Sequence, residues 1–115
     1  MRSDDRDAAY LWDMADAART ALELAGAYDL PRYLGDRVMQ LAIERLVEII
    51  GEAARRVSEG FRQAHPEVPW RSIIAQRHVL AHEYGEIKQE RMWRLVTEAL
   101  PKLLAVLAPL APSDD

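Results

Sequence analysis

Apolar residues recur at spacings of three and four positions over most of this 115-residue chain, and that period determines the fold class. Side chains at these spacings lie on one face of an α-helix. No segment alternates apolar and polar residues over the length of a strand, so we predict no strands. The clearest stripe comprises Met39, Ile43, Leu46, Ile50, Ala53 and Val57. The pattern predicts an all-α protein.

We predict four helices, because proline and glycine are sparse and stand where the apolar stripes end. Their expected ranges are 5–27, 33–59, 69–84 and 89–107. Residues 29–31 should end the first helix, Gly60 should cap the second, and residues 61–68 should form a loop. Pro101 should kink or split the fourth helix, because proline lacks the N–H group that a helix interior uses. The chain from Ala108 onward is expected to fray.

Amphipathic helices of these lengths pack as an antiparallel four-helix bundle, here with a short third helix and a fourth helix interrupted at Pro101. Residues 1–115 are enough for one domain with a core and too few for two. The N-terminal segment is charged, and the longest apolar run, 103–112, is shorter than the roughly 18 residues of a membrane span. We therefore expect a single cytoplasmic domain without a membrane span.

The chain has no cysteine, which excludes disulfides, thiolate metal sites and cysteine nucleophiles. Its formal net charge of −4 argues against a protein that coats nucleic acid with a broad basic surface. The charge is distributed unevenly, with −4 in residues 1–51, +2 in 52–95 and −2 in 96–115. The middle segment also holds all three histidines, so an anionic substrate is best accommodated there.

The densest group of chemically versatile side chains lies in residues 77–84 and contains Arg77, His78, His82 and Tyr84. Histidine exchanges protons near neutral pH, and arginine holds a phosphate with two hydrogen bonds. Together they are sufficient for metal-free RNA cleavage, with histidine as general acid or base and arginine stabilising the developing charge. In the alternative interpretation, Arg77 extends from an apolar face into solvent, and His82 and Tyr84 are hydrogen-bonded residues at the edge of the core.

Helical geometry separates the two proposed catalytic residues. Arg77 and His82 are five positions apart, which is about 140° around an ideal helix, so they do not share a face. A joint site requires a long arginine that reaches around the helix, a loosened helix end near Gly85, or a second subunit.

The second helix carries Arg45, Glu52 and Arg56 beside its apolar stripe. These residues form either a solvated face with ion pairs at helical spacing, or a place from which Glu52 orients Arg77 or His82.

The remaining candidates have mainly structural interpretations. His78 and His82 are one helical turn apart and could bind a metal ion, but histidine pairs on helices are usually not ligands. His65 is interpreted as a loop residue, and Trp70 and Trp93 as core or interface anchors. The basic residues of this segment are interpreted as surface charges that could contact phosphates, namely Arg71, Lys88, Arg91 and Arg94.

Several motifs occurring in one order resemble the HepT-like members of the HEPN superfamily. They are IIGEAA at 49–54, HPEVPW at 65–70, RHVLAHEY at 77–84 and LPKL at 100–103. Members of this family are small helical ribonuclease toxins found beside MntA-like minimal nucleotidyltransferase antitoxins. The resemblance covers about residues 38–107.

The family signature is an arginine followed after four to six residues by a histidine, and Arg77 and His82 match it. His78 stands where the family more often has asparagine. The resemblance implies a metal-independent endoribonuclease without a cofactor, in which His82 is the acid or base and Arg77 holds the phosphate. His78 and Glu52 are expected to support them. It also implies a homodimer in which the two third helices flank a shared cleft.

The extended signature places a tyrosine two residues after the histidine, and Tyr84 occupies that position. The resemblance implies that a partner nucleotidyltransferase adenylylates Tyr84 and thereby blocks the toxin. Two alternatives remain open at this point. One is a noncatalytic HEPN-type binding module that partners a nucleotidyltransferase, and the other is a purely structural bundle.

Overall fold

The computed structural model describes the backbone of residues 3–82 and 88–112 and the side chains of residues 5–76 and 88–112. This part of the chain contains helices and turns but no strand, which confirms the all-α prediction. The helices are α1 (Ser3–Ala25), α2 (Leu30–Leu34), α3 (Arg37–Arg56), α4 (Glu59–Ala64), α5 (Trp70–His82), α6 (Gln89–Arg94) and α7 (Leu100–Leu107). A π turn (Leu95–Ala99) joins α6 to α7.

Helix α3 lies at the centre of the bundle and packs against both α1 and α5, while α7 packs against α1. The α1 face that is buried is built largely of small side chains, which lets the helices approach closely. Those buried alanines are Ala15, Ala17, Ala18, Ala21 and Ala25. The facing stripe of α3 is confirmed, with Ile43, Ile50 and Ala53 buried. None of the described helices is long and apolar enough to cross a membrane.

The predicted second helix over 33–59 is wrong at its start. Tyr33 belongs to the short α2, which Asp29 caps and in which Pro31 occupies the first turn, where a missing N–H costs nothing. Helix α3 begins only at Arg37, because the Asp36 carboxylate accepts a hydrogen bond from the Met39 N–H at 3.0 Å. Helix α1 ends at Ala25, two residues before its predicted end.

The prediction of a Gly60 cap and a loop over 61–68 is also wrong. Val57 caps α3, and Ser58 then begins α4, with its side chain accepting from the Phe61 N–H at 3.3 Å. Gly60 therefore lies inside a helix, and the predicted loop is confined to the residues between Ala64 and Trp70. The sequence carried the signal for this helix, because serine is among the preferred N-cap residues.

The predicted interruption of the fourth helix is confirmed. Pro101 occupies the first turn of α7, and the π turn directly before it absorbs the missing interior hydrogen bond. The Leu100 N–H donates to the Leu95 carbonyl, five residues back. The expected fraying from Ala108 does not begin there, since the Ala111 N–H still donates to Leu107 O at 2.8 Å.

Asp7 is a buried carboxylate, 6% exposed, that joins the start of α1 to the start of α4. Its two oxygens accept hydrogen bonds from the Ser58 N–H at 2.8 Å and the Ser58 hydroxyl at 2.6 Å. The Ser58 oxygen in turn caps α4. A buried carboxylate is tolerated because both oxygens are hydrogen-bonded.

Replacing Asp7 by alanine leaves the Ser58 N–H and hydroxyl without their acceptor. We expect D7A to lower the free energy of unfolding by about 1.5–3 kcal/mol, the range for hydrogen bonds to charged groups. D7N keeps the side-chain shape and one acceptor oxygen, so it should cost less than D7A. Urea denaturation measures both, and a D7A protein as stable as wild type would contradict this role for Asp7.

Candidate active site

Helix α5 carries the predicted catalytic positions, and Trp70 anchors its first turn. The Trp70 side chain is 8% exposed, its Nε1–H donates to the His65 carbonyl at 2.9 Å, and its ring meets Phe61 edge-on at 6.3 Å. Val68, just before the helix, is also buried. The interpretation of Trp70 as a core anchor is confirmed.

The exposure of residues 70–76 defines two sectors of α5. Trp70 and Ile73 lie in the inner sector, which is buried or half-buried, whereas Arg71 and Ala75 lie in the outer sector, which is exposed. Among the described residues, α5 makes its main helix contact with α3. The outer sector is therefore not covered by α3.

The backbone of α5 continues as a helix through His82, so the register of its later positions follows from the same period. Position 77 lies about 20° from position 70, and position 82 lies about 20° from positions 71 and 75. In helical register, position 77 is therefore on the side of α5 that carries Trp70, and position 82 is on the side that carries Arg71 and Ala75. The side chains of Arg77, His78 and His82, and the whole of Tyr84, lie outside the described residues.

The start of α6 is held by a chain of polar contacts. The Tyr33 hydroxyl donates to Gln89 Oε1 at 2.6 Å, and Gln89 Nε2–H donates to Glu44 Oε2 at 2.8 Å. Arg37 lies 3.5 Å from the same Glu44 oxygen. Burial, and to a lesser extent the Glu44 charge, raises the pKa of Tyr33 to about 12. Hydrogen bonds to Tyr33 and Glu44 therefore hold Gln89 in place, five residues after Tyr84.

Glu52 forms ion pairs along α3. Its Oε1 lies 2.9 Å from both Arg55 Nη2 and Arg56 Nε, and Glu52 and Tyr10 raise the pKa of Arg56 above its usual value. Arg45 pairs with Glu48 at 3.2 Å. The interpretation of this stripe as ion pairs at helical spacing is confirmed for these contacts. A contact from Glu52 to Arg77 or His82 would involve side chains outside the described residues.

The remaining candidates take structural positions. His65 caps the end of α4, stacks on Phe61 at 4.3 Å between ring centroids, and places Nδ1 3.1 Å from Glu67. Its interpretation as a loop residue is confirmed. The Trp93 ring packs 5.1 Å from that of Tyr33, as expected of an anchor. Arg71, Lys88, Arg91 and Arg94 are exposed.

An open groove of about 910 Å³ runs between α4 and the start of α5. Arg62 and Arg71 line it, as do Trp70 and Ile74. The sequence analysis assigns Arg62 no role, and the loop predicted over 61–68 does not place it on a helix. The Ser58 cap was the one signal that would have placed Arg62 on a helix facing α5.

Comparison with known proteins gives one consistent result. The family described as "Ribonuclease HepT-like" matches residues 14–110 of the chain. A protein of Methanocaldococcus jannaschii, provisionally named RNase MJ1380, is 33% identical over 95 residues, which cover 83% of this chain and 87% of that protein. A protein of Thermococcus cleftensis, provisionally named ribonuclease HepT, is 35% identical over 82% of this chain and 86% of its own length. No solved structure matches the chain significantly.

The anchor at Gln89 predicts a pH-dependent stability. Because the folded pKa of Tyr33 is raised to about 12, folding favours its neutral form, and this contribution is complete below about pH 10. The free energy of unfolding should fall as the pH rises from about 10 to 12, by roughly 2–3 kcal/mol at most.

Urea denaturation of wild type and Y33F across this pH range tests the assignment. The phenylalanine variant lacks the ionising group, so its stability should fall less steeply with pH. Tyr10→Phe is the matched control, because Tyr10 lies beside Arg56 and not beside Gln89. Parallel pH profiles for wild type and Y33F would show that Tyr33 is not the group responsible.

Proposed function

Because the chain belongs to the HepT-like ribonuclease family, we propose that it is the toxin of a toxin–antitoxin pair and a metal-independent endoribonuclease. In this proposal Arg77 and His82 cleave RNA in the cytoplasm, and no cofactor takes part. The observation that carries the proposal is the family match over residues 14–110, which includes the whole Arg77–His82 motif.

The proposed chemistry is an internal phosphoryl transfer. The ribose 2′-oxygen attacks the adjacent phosphorus, and the bond from phosphorus to the 5′-oxygen of the next nucleotide breaks. His82 takes the proton from the 2′-hydroxyl as general base, or gives one to the leaving 5′-oxygen as general acid. Arg77 stabilises the extra negative charge on the phosphorus oxygens with its fixed fork of N–H donors.

The register of α5 supports a site built from two subunits. Positions 77 and 82 lie about 140° apart on one continuous helix, in the inner and outer sectors respectively. The outer sector at Arg71 and Ala75 is exposed. We infer a homodimer in which the two α5 helices flank a shared cleft, so that each cleft can use Arg77 and His82 from different subunits. His78 and Glu52 are proposed as supporting residues.

We also propose that the activity is controlled at Tyr84 by an MntA-like nucleotidyltransferase. The Tyr84 oxygen attacks the α-phosphorus of ATP, the bond to the β-phosphate breaks, and pyrophosphate leaves. The product carries one added negative charge and a purine two residues from His82. Since Gln89 holds the far end of this segment, the adenylate would remain close to α5.

Substitution of the two catalytic residues tests the ribonuclease. We expect H82A and R77A each to reduce RNA cleavage by at least about 100-fold, which is the lower range both for loss of general acid–base catalysis and for loss of a donor that stabilises transition-state charge. The measurement is single-turnover cleavage of a labelled RNA, followed with and without EDTA, and EDTA should leave the wild-type rate unchanged.

His65→Ala and Arg6→Ala are the matched controls, because neither residue belongs to the Arg77–His82 motif or to its proposed supporting residues, and both variants should retain wild-type rates. Equal cleavage rates for wild type, H82A and R77A would contradict the assignment of Arg77 and His82 as catalytic residues. RNA left intact by the wild type, together with a stable complex with a nucleotidyltransferase, would favour the noncatalytic binding module.

Modification of Tyr84 is tested by co-expression with the cognate nucleotidyltransferase. Mass spectrometry should find AMP on the peptide that contains Tyr84, and RNA cleavage by the modified protein should be lost. Y84F should remain unmodified and toxic in the presence of the partner, whereas Y10F should be neutralised as wild type is. Neutralisation of Y84F to the same extent as wild type would argue against control at this residue.

A further inference from the structure

We propose that the groove between α4 and α5 binds the phosphodiester backbone of single-stranded RNA and guides it towards position 82. This inference rests on the proposed ribonuclease function and names a substrate-binding surface separate from the catalytic pair. The groove measures about 910 Å³ and is open along its length.

The lining of the groove suits an RNA strand. Val68, Trp70 and Ile74 contribute an apolar floor, and the lining also includes two arginines, Arg62 from α4 and Arg71 from α5. An apolar floor accommodates base or ribose faces, while guanidinium groups bind phosphate oxygens. The beginning of α5 also lines the groove, so the positive end of that helix dipole adjoins it.

The surroundings of Arg62 satisfy its guanidinium group only in part. Its Nε is buried and has no hydrogen-bond partner among the described residues. A buried donor without an acceptor is costly, and a charged one more so. Neither Arg62 nor Arg71 forms an ion pair within the described part of the chain. Phosphate oxygens in the groove could accept hydrogen bonds from the terminal N–H groups of these two guanidinium groups.

The groove also adjoins the side of α5 that contains position 82. Arg71 and Ala75 line it and lie in the outer sector of α5, which by helical register also contains positions 78 and 82. Position 82 lies about 16 Å further along the helix axis than position 71. An RNA strand held at Arg71 can therefore follow one face of α5 to the proposed cleavage position.

Among the residues that the structure describes, Glu59 is the one acidic residue that lines the groove. It is exposed, and its Oε1 accepts a hydrogen bond from Gln63 Nε2 at 3.3 Å. A carboxylate at the edge of a phosphate-binding groove repels the ligand. Removal of the Glu59 charge should therefore raise the affinity for RNA, whereas removal of either arginine should lower it. A general loss of stability would not produce effects of opposite sign.

The test is equilibrium binding of a fluorescently labelled single-stranded RNA to the full-length protein in an H82A background, where the RNA stays intact. We expect R62Q and R71Q each to weaken binding about 5- to 10-fold. Each should also lower the slope of log affinity against log salt by about 0.7. E59Q should tighten binding about 2-fold, and R6Q, which replaces an exposed arginine on α1, should leave it unchanged.

The outcomes separate this inference from the ribonuclease assignment. If wild type cleaves RNA while R62Q, R71Q and E59Q bind it as the H82A parent does, the groove is not the RNA path and the ribonuclease assignment stands. If wild type does not cleave RNA and the parent does not bind it, both fail. Reduced self-association of R62Q and R71Q with unchanged RNA binding would make the groove a contact between copies and overturn the inference. If R62Q has a lower melting temperature than the H82A parent, its RNA affinity is set aside, and the affinities of R71Q and E59Q decide between these outcomes.

Discussion

The packing of α3 between α1 and α5 is the contact on which the rest of the structure depends. Alanines on α1 allow that helix to lie close against the apolar face of α3, and the opposite side of α3 receives α5. The inner sector of α5 is defined by this second contact, and so is the outer sector that faces away from it. Where each position of the proposed catalytic motif lies around α5 is thus a consequence of how α5 packs on α3.

The helical period was sufficient to predict the all-α fold, the buried stripe of α3 and the interruption at Pro101, because each follows from local spacing or from a missing N–H. The boundaries were predicted less well. The apolar stripe that ends at Val57 suggested a helix running to residue 59, whereas the caps at Asp36 and Ser58 impose breaks. Both cap residues were visible in the sequence, but the hydrogen bond from Ser58 to Asp7 joins residues 51 positions apart, and no local pattern reports it.

For the site, the sequence supplied the chemistry and the structure supplied the orientation. Arg77, His82 and Tyr84 could be chosen from residue type, spacing and family resemblance alone. The division of α5 into sectors required the observed exposure of Trp70 and Arg71. Arg62 could not be chosen from sequence, because its importance depends on which helix α4 faces across the groove.

Because Gln89 is held in place, the proposed regulation can be expressed as an effective concentration. Six residues separate His82, the last residue of α5, from Gln89, which Tyr33 and Glu44 hold in place. A group attached to Tyr84 is therefore tethered at both ends of a short segment. Its effective concentration near α5 is on the order of millimolar, as expected for a short tether. An adenylate whose dissociation constant for the cleft is well below a millimolar would occupy the cleft almost completely, and this occupancy would not depend on how much protein or free nucleotide the cell contains.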